Sequence, residues 1–136
     1  MNTSVRSTLT DRANGARTTM TLPALLLRLE GATLLAAAVL LYREHNAPWL
    51  LIAVLLFAPD LAMFGYLAGP RIGAGIYNAA HTTVLPIILG VTGILTGSGL
   101  AIALGLIWLA HIGLDRAIGY GLKYPDVFKA THLGRV

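Results

Sequence analysis

From Ile72 to Leu114 the chain contains no Asp, Glu, Lys or Arg. A soluble fold could not use such a stretch, because its turns and outer helix faces would present apolar side chains to water. Apolar runs of about 18 residues or more read instead as membrane spans. This one is long enough for two passes, and Thr96, Gly97, Ser98 and Gly99 supply a turn between them. A second charge-free run goes from Ala47 to Ala58. Charged residues make up 12% of the chain, against roughly 25% in soluble domains, too few to solvate a globular surface. At 136 residues the chain is one domain.

The apolar runs Leu25 to Tyr42, Pro48 to Ala68, Ile72 to Leu95 and Leu100 to Tyr120 can each cross a bilayer once as a helix. The expected fold is all-α, an integral membrane bundle of about four transmembrane helices. Residues 1–22, rich in Thr, Arg, Asn and Ser, read as a disordered arm. Residues 23–122 form the four-span domain, and 123–136 a polar tail. The first run begins too late, and lacks a cleavage site, to read as a signal peptide. Pro23 suits a helix start. Pro59 interrupts the second run, Gly69 and Pro70 make a turn, and Pro86 lies inside the third run.

The net charge is +4. The basic residues flank apolar runs, so they set orientation in the lipid bilayer, and nucleic acid is not an expected partner. Arg6, Arg12, Arg17, Arg28, Arg71, Arg116, Lys123, Lys129 and Arg135 fall on one side. The other side has Arg43 next to Glu44. The positive-inside rule then places both termini in the cytoplasm, N-in and C-in. Tyr42, Trp49, Tyr120 and Tyr124 read as interface aromatics, Trp108 as a packing residue, and His45 as a solvated loop residue. Glycines such as Gly65, Gly73, Gly90 and Gly105 allow close helix approach, within one chain or in a homo-oligomer. There are no cysteines, which excludes disulfides, thiolate nucleophiles and Cys-type zinc sites.

Ionisable residues inside spans are costly and mark function or a buried partner. Here they are Glu30, Asp60, His81, His111 and Asp115, and all fall in the cytoplasmic half of their spans. His111 and Asp115 share a helix face, as do Tyr77, Asn78 and His81. Pro59 weakens the helix before Asp60 and can free backbone carbonyls. Two His and one or two Asp suit a divalent ion such as zinc, manganese or iron. Such an ion would make a hydroxide available for hydrolysis, with Glu30 or His132 as base or supporting partner. The same residues could instead bond helices together, or handle protons or small solutes. Arg116 reads as an interfacial anchor or ion-pair partner. The tail could fold back as a lid that brings His132 to the cluster, or lie on the membrane with Lys123 and Lys129 on anionic lipid.

Arg28-Leu29-Glu30-Gly31, Ala58-Pro59-Asp60, Gly65-Tyr66 through Pro70, Tyr77-Asn78-Ala79-Ala80-His81 and His111 through Pro125 together resemble the small bacterial membrane proteins of the domain-of-unknown-function family 4260. The resemblance covers about Leu25 to Gly134 and brings no activity with it; it implies a multi-pass protein of the bacterial cytoplasmic (inner) membrane. The order Pro59-Asp60, His81, His111 with Asp115, then Gly121 and Pro125 is also similar to the YdjM-type membrane-bound metal-dependent hydrolases. That similarity implies a metal held by Asp60, His81, His111 and Asp115. The chain departs from the hydrolase pattern at Ala62 or Met63, where those proteins carry a second acid, and after His81, where Thr82 and Thr83 stand.

Overall fold

The computed structural model describes residues 20–123 and Leu133. Helix α1 spans Leu22–Glu44 and begins at Thr21, whose hydroxyl accepts from the Ala24 N–H at 3.3 Å. Pro23 sits in its first turn, where N–H groups have no helical acceptor and a missing donor is harmless. Helix α2 covers Trp49–Leu55, and the chain then tightens into a 3-10 helix over Ala58–Ala68. Helices α3 (Pro70–His81) and α4 (Val84–Thr96) share the third span. Helix α5 runs Gly99–Ile118.

These elements make four spans, Leu22–Glu44, Trp49–Ala68, Pro70–Thr96 and Gly99–Ile118, each long and apolar enough to cross a membrane. Twenty helical residues reach about 30 Å, the thickness of the hydrocarbon core. The burial pattern fits a lipid solvent. Leu50, Phe64, Leu67, Ile94 and Leu95 are all more than 60% exposed, while His81 and His111 are buried. Water would invert that arrangement; hydrocarbon permits it.

The third span breaks at Thr82 and Thr83, not at Pro86. Pro86 lies in the first turn of α4 and is buried, so its missing N–H breaks no helical bond. The break ends α3 directly after His81, with Thr82 in an extended conformation.

Helix α5 is the central post. It packs against α1 and α4, while α3 packs against the 3-10 helix. Small residues set the α1–α5 distance. A Cβ at Gly113 would lie 2.6 Å from the Leu35 nitrogen and 2.8 Å from the Gly31 carbonyl oxygen, and one at Gly31 would lie 2.5 Å from the Arg116 Cβ. Backbones that close exclude any side chain between them.

Two expectations for the far end are corrected. Tyr42 is fully buried, packs with Ala103 and Ile107, and donates its hydroxyl to the Pro48 carbonyl at 2.6 Å. It is a core residue and not part of an interface belt, because the α1–α2 turn folds over it. His45 does not simply face solvent: its Nε2 lies 3.1 Å from the Gly99 carbonyl oxygen and ties the two far loops together. Trp49 and Tyr120 are exposed as interface aromatics should be. Tyr124, Lys129, residues 1–19 of the arm and most of the tail lie outside the described residues.

Candidate metal centre

Each of the four His and Asp side chains reaches the centre by a local backbone device. Asp60 depends on Pro59. With no N–H, Pro59 cannot donate to the carbonyls of Leu55 or Leu56, and the Asp60 N–H bonds Phe57 O at 3.1 Å in 3-10 fashion. The 3-10 helix also sets depth. From Asp60 to Ala68 it climbs about 16 Å at 2.0 Å per residue. From Pro70 to His81 α3 climbs about 16 Å at 1.5 Å per residue. Asp60 and His81, on opposite sides of the Gly69–Pro70 turn, are thereby brought level. An α-helix would leave Asp60 about 4 Å short.

His81 is the last residue of α3, and its Nδ1 lies 2.8 Å from the Tyr77 carbonyl oxygen. That contact makes Nδ1 the donor and turns the Nε2 lone pair inward. The Tyr77 ring stacks on the imidazole with centroids 3.7 Å apart and planes 12° apart, fixing its tilt. His111 and Asp115 stand one turn apart on α5. The His111 side chain is fully buried and meets the Phe57 ring edge-on at 6.3 Å. The Leu56 carbonyl lies near the same imidazole. That contact is looser than a well-formed hydrogen bond, since Nδ1 has no partner within strict geometry.

The four side chains converge. His81 Nε2 and His111 Nε2 are 3.0 Å apart. Asp60 Oδ1 is 3.5 Å from each of these nitrogens. Asp115 Oδ2 is 3.5 Å from His81 and 3.6 Å from His111. One ligand atom from each residue falls within 4.8 Å of all the others. Ligands held at about 2.0–2.2 Å from a tetrahedral ion are themselves about 3.3–3.6 Å apart. Five of the six separations are 3.0–3.6 Å, so the group is close enough to hold a small divalent cation, with two nitrogens and two carboxylate oxygens of the kind zinc, manganese and iron accept.

Supporting contacts surround this group. The Tyr77 hydroxyl lies 3.5 Å from Asp115 Oδ2. After Asp115, α5 ends in a Schellman turn: Gly119 adopts φ 101°, its N–H donates to Arg116 O at 3.1 Å, and the Tyr120 N–H donates to Asp115 O at 2.7 Å. The chain thus doubles back to Asn78, whose amide donates to the Lys123 carbonyl at 2.9 Å and accepts the Lys123 N–H at 2.7 Å. The Lys123 ammonium sits 4.4 Å from the Tyr77 ring centre and 5.4 Å from that of Tyr66. Burial lowers its pKa below the ordinary lysine value, while Asp60 and Asp115 oppose that shift.

Not every expected residue joins. Glu30 is exposed on α1 and is not part of the converging group. Its neighbour Gly31 faces α5 instead, and the helical twist carries Glu30 away from that face. His132 lies outside the described residues. Arg116 lines a small cleft beside the centre, with Tyr77, His81 and Asp115. Two features escape sequence reasoning: the Leu56 carbonyl on His111 and the Asn78 clamp on Lys123. Pro59 signals the first. The second has only the weak signal of glycines punctuating a chain that must reverse.

A four-span bundle with a buried His/Asp group defines a class of membrane protein rather than an activity. This chain belongs to the family described as domain of unknown function DUF4260, whose profile matches residues 24–136. No curated protein and no solved structure matches it significantly.

Proposed function

We propose that the protein is a metal-dependent hydrolase of the bacterial cytoplasmic membrane, acting on a membrane-associated substrate from the cytoplasmic side. The observation that carries this reading is the 3.0 Å approach of His81 Nε2 and His111 Nε2, with a carboxylate oxygen about equally distant from both. His81 spends its Nδ1 proton on the Tyr77 carbonyl, so its Nε2 presents a lone pair. A His111 tautomer with its proton on Nδ1, toward the Leu56 carbonyl, presents another. Two lone pairs 3.0 Å apart repel unless a cation lies between them, and two carboxylates aimed at the same point call for more charge than one proton. A divalent ion satisfies all four at once.

Such an ion would supply a water deprotonated near neutral pH and an electrophile for a carbonyl or phosphoryl oxygen. The residues supply the rest. His111 and His81, both buried, hold the ion at fixed depth. Asp60, whose side chain is 40% exposed, marks the open side from which substrate and water arrive. An apolar cavity of about 370 Å³ lies next to the centre, lined by Leu55, Ala58, Pro59, Leu89, Leu104, Ile107 and Trp108. Leu104, Trp108 and His111 lie along one face of α5, so the cavity continues toward the bilayer middle from the metal ligands. That placement suits a substrate with a hydrocarbon part.

The test is elemental analysis of full-length protein purified in detergent. The wild type is expected to hold about one zinc, manganese or iron per chain, and His111→Ala and Asp115→Asn to lose at least 10-fold in affinity. A wild type without stoichiometric metal would refute the reading and leave the cluster as a hydrogen-bonded clasp between helices.

A further inference from the structure

The third span stops being helical at the point where it presents His81. That residue ends α3, and Thr82 after it is extended. The last carbonyls of a helix have no donor within it, and in hydrocarbon no water takes the donor's place. The Ala80 carbonyl finds its donor on α5, in the Trp108 indole N–H at 2.5 Å. That oxygen belongs to the peptide unit that ends at the His81 Cα. Peptide units are planar, so holding the oxygen fixes where the His81 side chain starts.

Trp108 and His111 are three residues apart on α5 and share a face. That face holds the His81 backbone through Trp108 and meets the His81 ring through His111, with the two Nε2 atoms 3.0 Å apart. Few other contacts set this spacing. The extensive helix packing is that of α1 and α4 on α5, and of α3 on the 3-10 helix. The converging group is divided in the same way: Asp60 and His81 come from one pair of elements, His111 and Asp115 from α5. Between α3 and α5 the Tyr77 hydroxyl contact to Asp115 is long, at 3.5 Å. The Asn78 clamp on Lys123 lies past the end of α5. The Trp108 bond is short, and it acts on the residue next to His81.

We infer that Trp108 is a positioning residue: its indole N–H, through the Ala80 carbonyl, sets His81 against His111. Its ring packs, as the sequence leads one to expect, and its N–H gives it this second part. The placement of His81 follows from the geometry alone; its effect on metal affinity rests on the reading proposed above. Bulk and bond are separable by substitution. The indole lines the apolar cavity, as Leu104 does one turn away. Trp108→Phe removes the N–H and keeps an aromatic ring, whereas Leu104→Ala removes cavity-lining bulk and no bond.

The experiment is a cobalt(II) titration of full-length protein in detergent, read through the visible absorption bands, whose positions report the ligand geometry about the ion. Trp108→Phe is expected to bind cobalt at least 10-fold more weakly than the wild type, with shifted bands. Leu104→Ala should match the wild type in both. The chain has no cysteine, so spin labels on Ala79→Cys and Thr33→Cys, exposed on α3 and α1, measure the same placement without metal. Trp108→Phe is expected to shift or broaden their separation, and Leu104→Ala to leave it unchanged. A Trp108→Phe protein with wild-type affinity, bands and label separation overturns the inference and leaves the metal reading intact. Equal changes in the two variants overturn it as well and make Trp108 a packing residue only. A wild type that takes up no metal refutes the metal reading, and the label separations then decide the inference by themselves.

Discussion

Tyr77 illustrates how one side chain serves several parts of the centre. Its carbonyl receives the His81 Nδ1 proton, its ring stacks on the His81 imidazole, the ring's other contact is the Lys123 ammonium, and its hydroxyl points at Asp115. These roles separate by substitution. At 3.5 Å the hydroxyl contact is weak, so Tyr77→Phe is expected to lower metal affinity no more than about 3-fold. Tyr77→Leu removes the stacked ring while keeping the carbonyl. It is expected to lower metal affinity about 10-fold or more, as loss of ligand orientation generally does. Competition with a metallochromic chelator measures both. Equal losses in the two variants would mean that the hydroxyl contact to Asp115, and not the ring stacked on His81, carries the contribution of Tyr77. The residues themselves were legible in the sequence, because charged and imidazole groups stand out in apolar spans and the i, i+4 spacing of His111 and Asp115 survives in α5. What was not legible is the sharing of one ring among ligand, carboxylate and lysine, since it joins three elements distant in sequence. Glu30 shows the converse: its composition marks it as a candidate, and only the rotation of α1 against α5 takes it out.

At the scale of elements, the 3-10 helix from Ala58 to Ala68 is the least expected feature and the most consequential. Runs of this geometry beyond three or four residues are uncommon and often mark a functional segment. Reading the second span as α-helical puts Asp60 about 12 Å from the turn; the 3-10 rise carries it to the level of His81. Pro59 starts the change by removing a donor, and the Asp60 N–H then bonds the Phe57 carbonyl rather than that of Leu56. Pro59→Ala restores that donor. The α-helix is then expected to continue past Phe57, recapture the Leu56 carbonyl and draw Asp60 away. Metal affinity should fall about 10-fold to 100-fold while the protein stays folded, since the most extensive helix packing is that of α1 and α4 on α5. Thermal unfolding and metal titration of the same sample check the two halves of that statement; unchanged affinity would mean that Asp60 reaches the centre without help from the 3-10 geometry. The sequence showed a breaker at Pro59 and at Pro86. It could not show that one reshapes its span while the other, buried in a first turn, does nothing, because that depends on where the preceding helix ends.

For the whole molecule, length and apolarity made the four spans legible nearly to their ends, since the bilayer fixes how many residues a helix needs. Orientation depends on something weaker, the count of basic residues at the two ends. Arg28 packs near Gly119, Arg71 opens α3 and Lys123 follows α5. These residues, with Arg116 in the last turn of α5, share the end at which the His/Asp group opens. Among the described residues, Arg43 is the one Lys or Arg at the far end, and Glu44 adjoins it. Transfer of a basic segment across the membrane is opposed by the membrane potential, so the end with more Lys and Arg is expected in the cytoplasm. The absence of cysteine from the sequence makes this directly testable. Glu44 and Arg71 are both exposed and lie at opposite ends of the bundle. In intact cells, a membrane-impermeant maleimide is expected to label Glu44→Cys fully and Arg71→Cys only after permeabilisation. The reverse pattern would place the His/Asp centre on the outer face. The substrate would then have to come from outside the cell, and a compound made in the cytoplasm could not reach Asp60, on the open side of the group, without first being carried across.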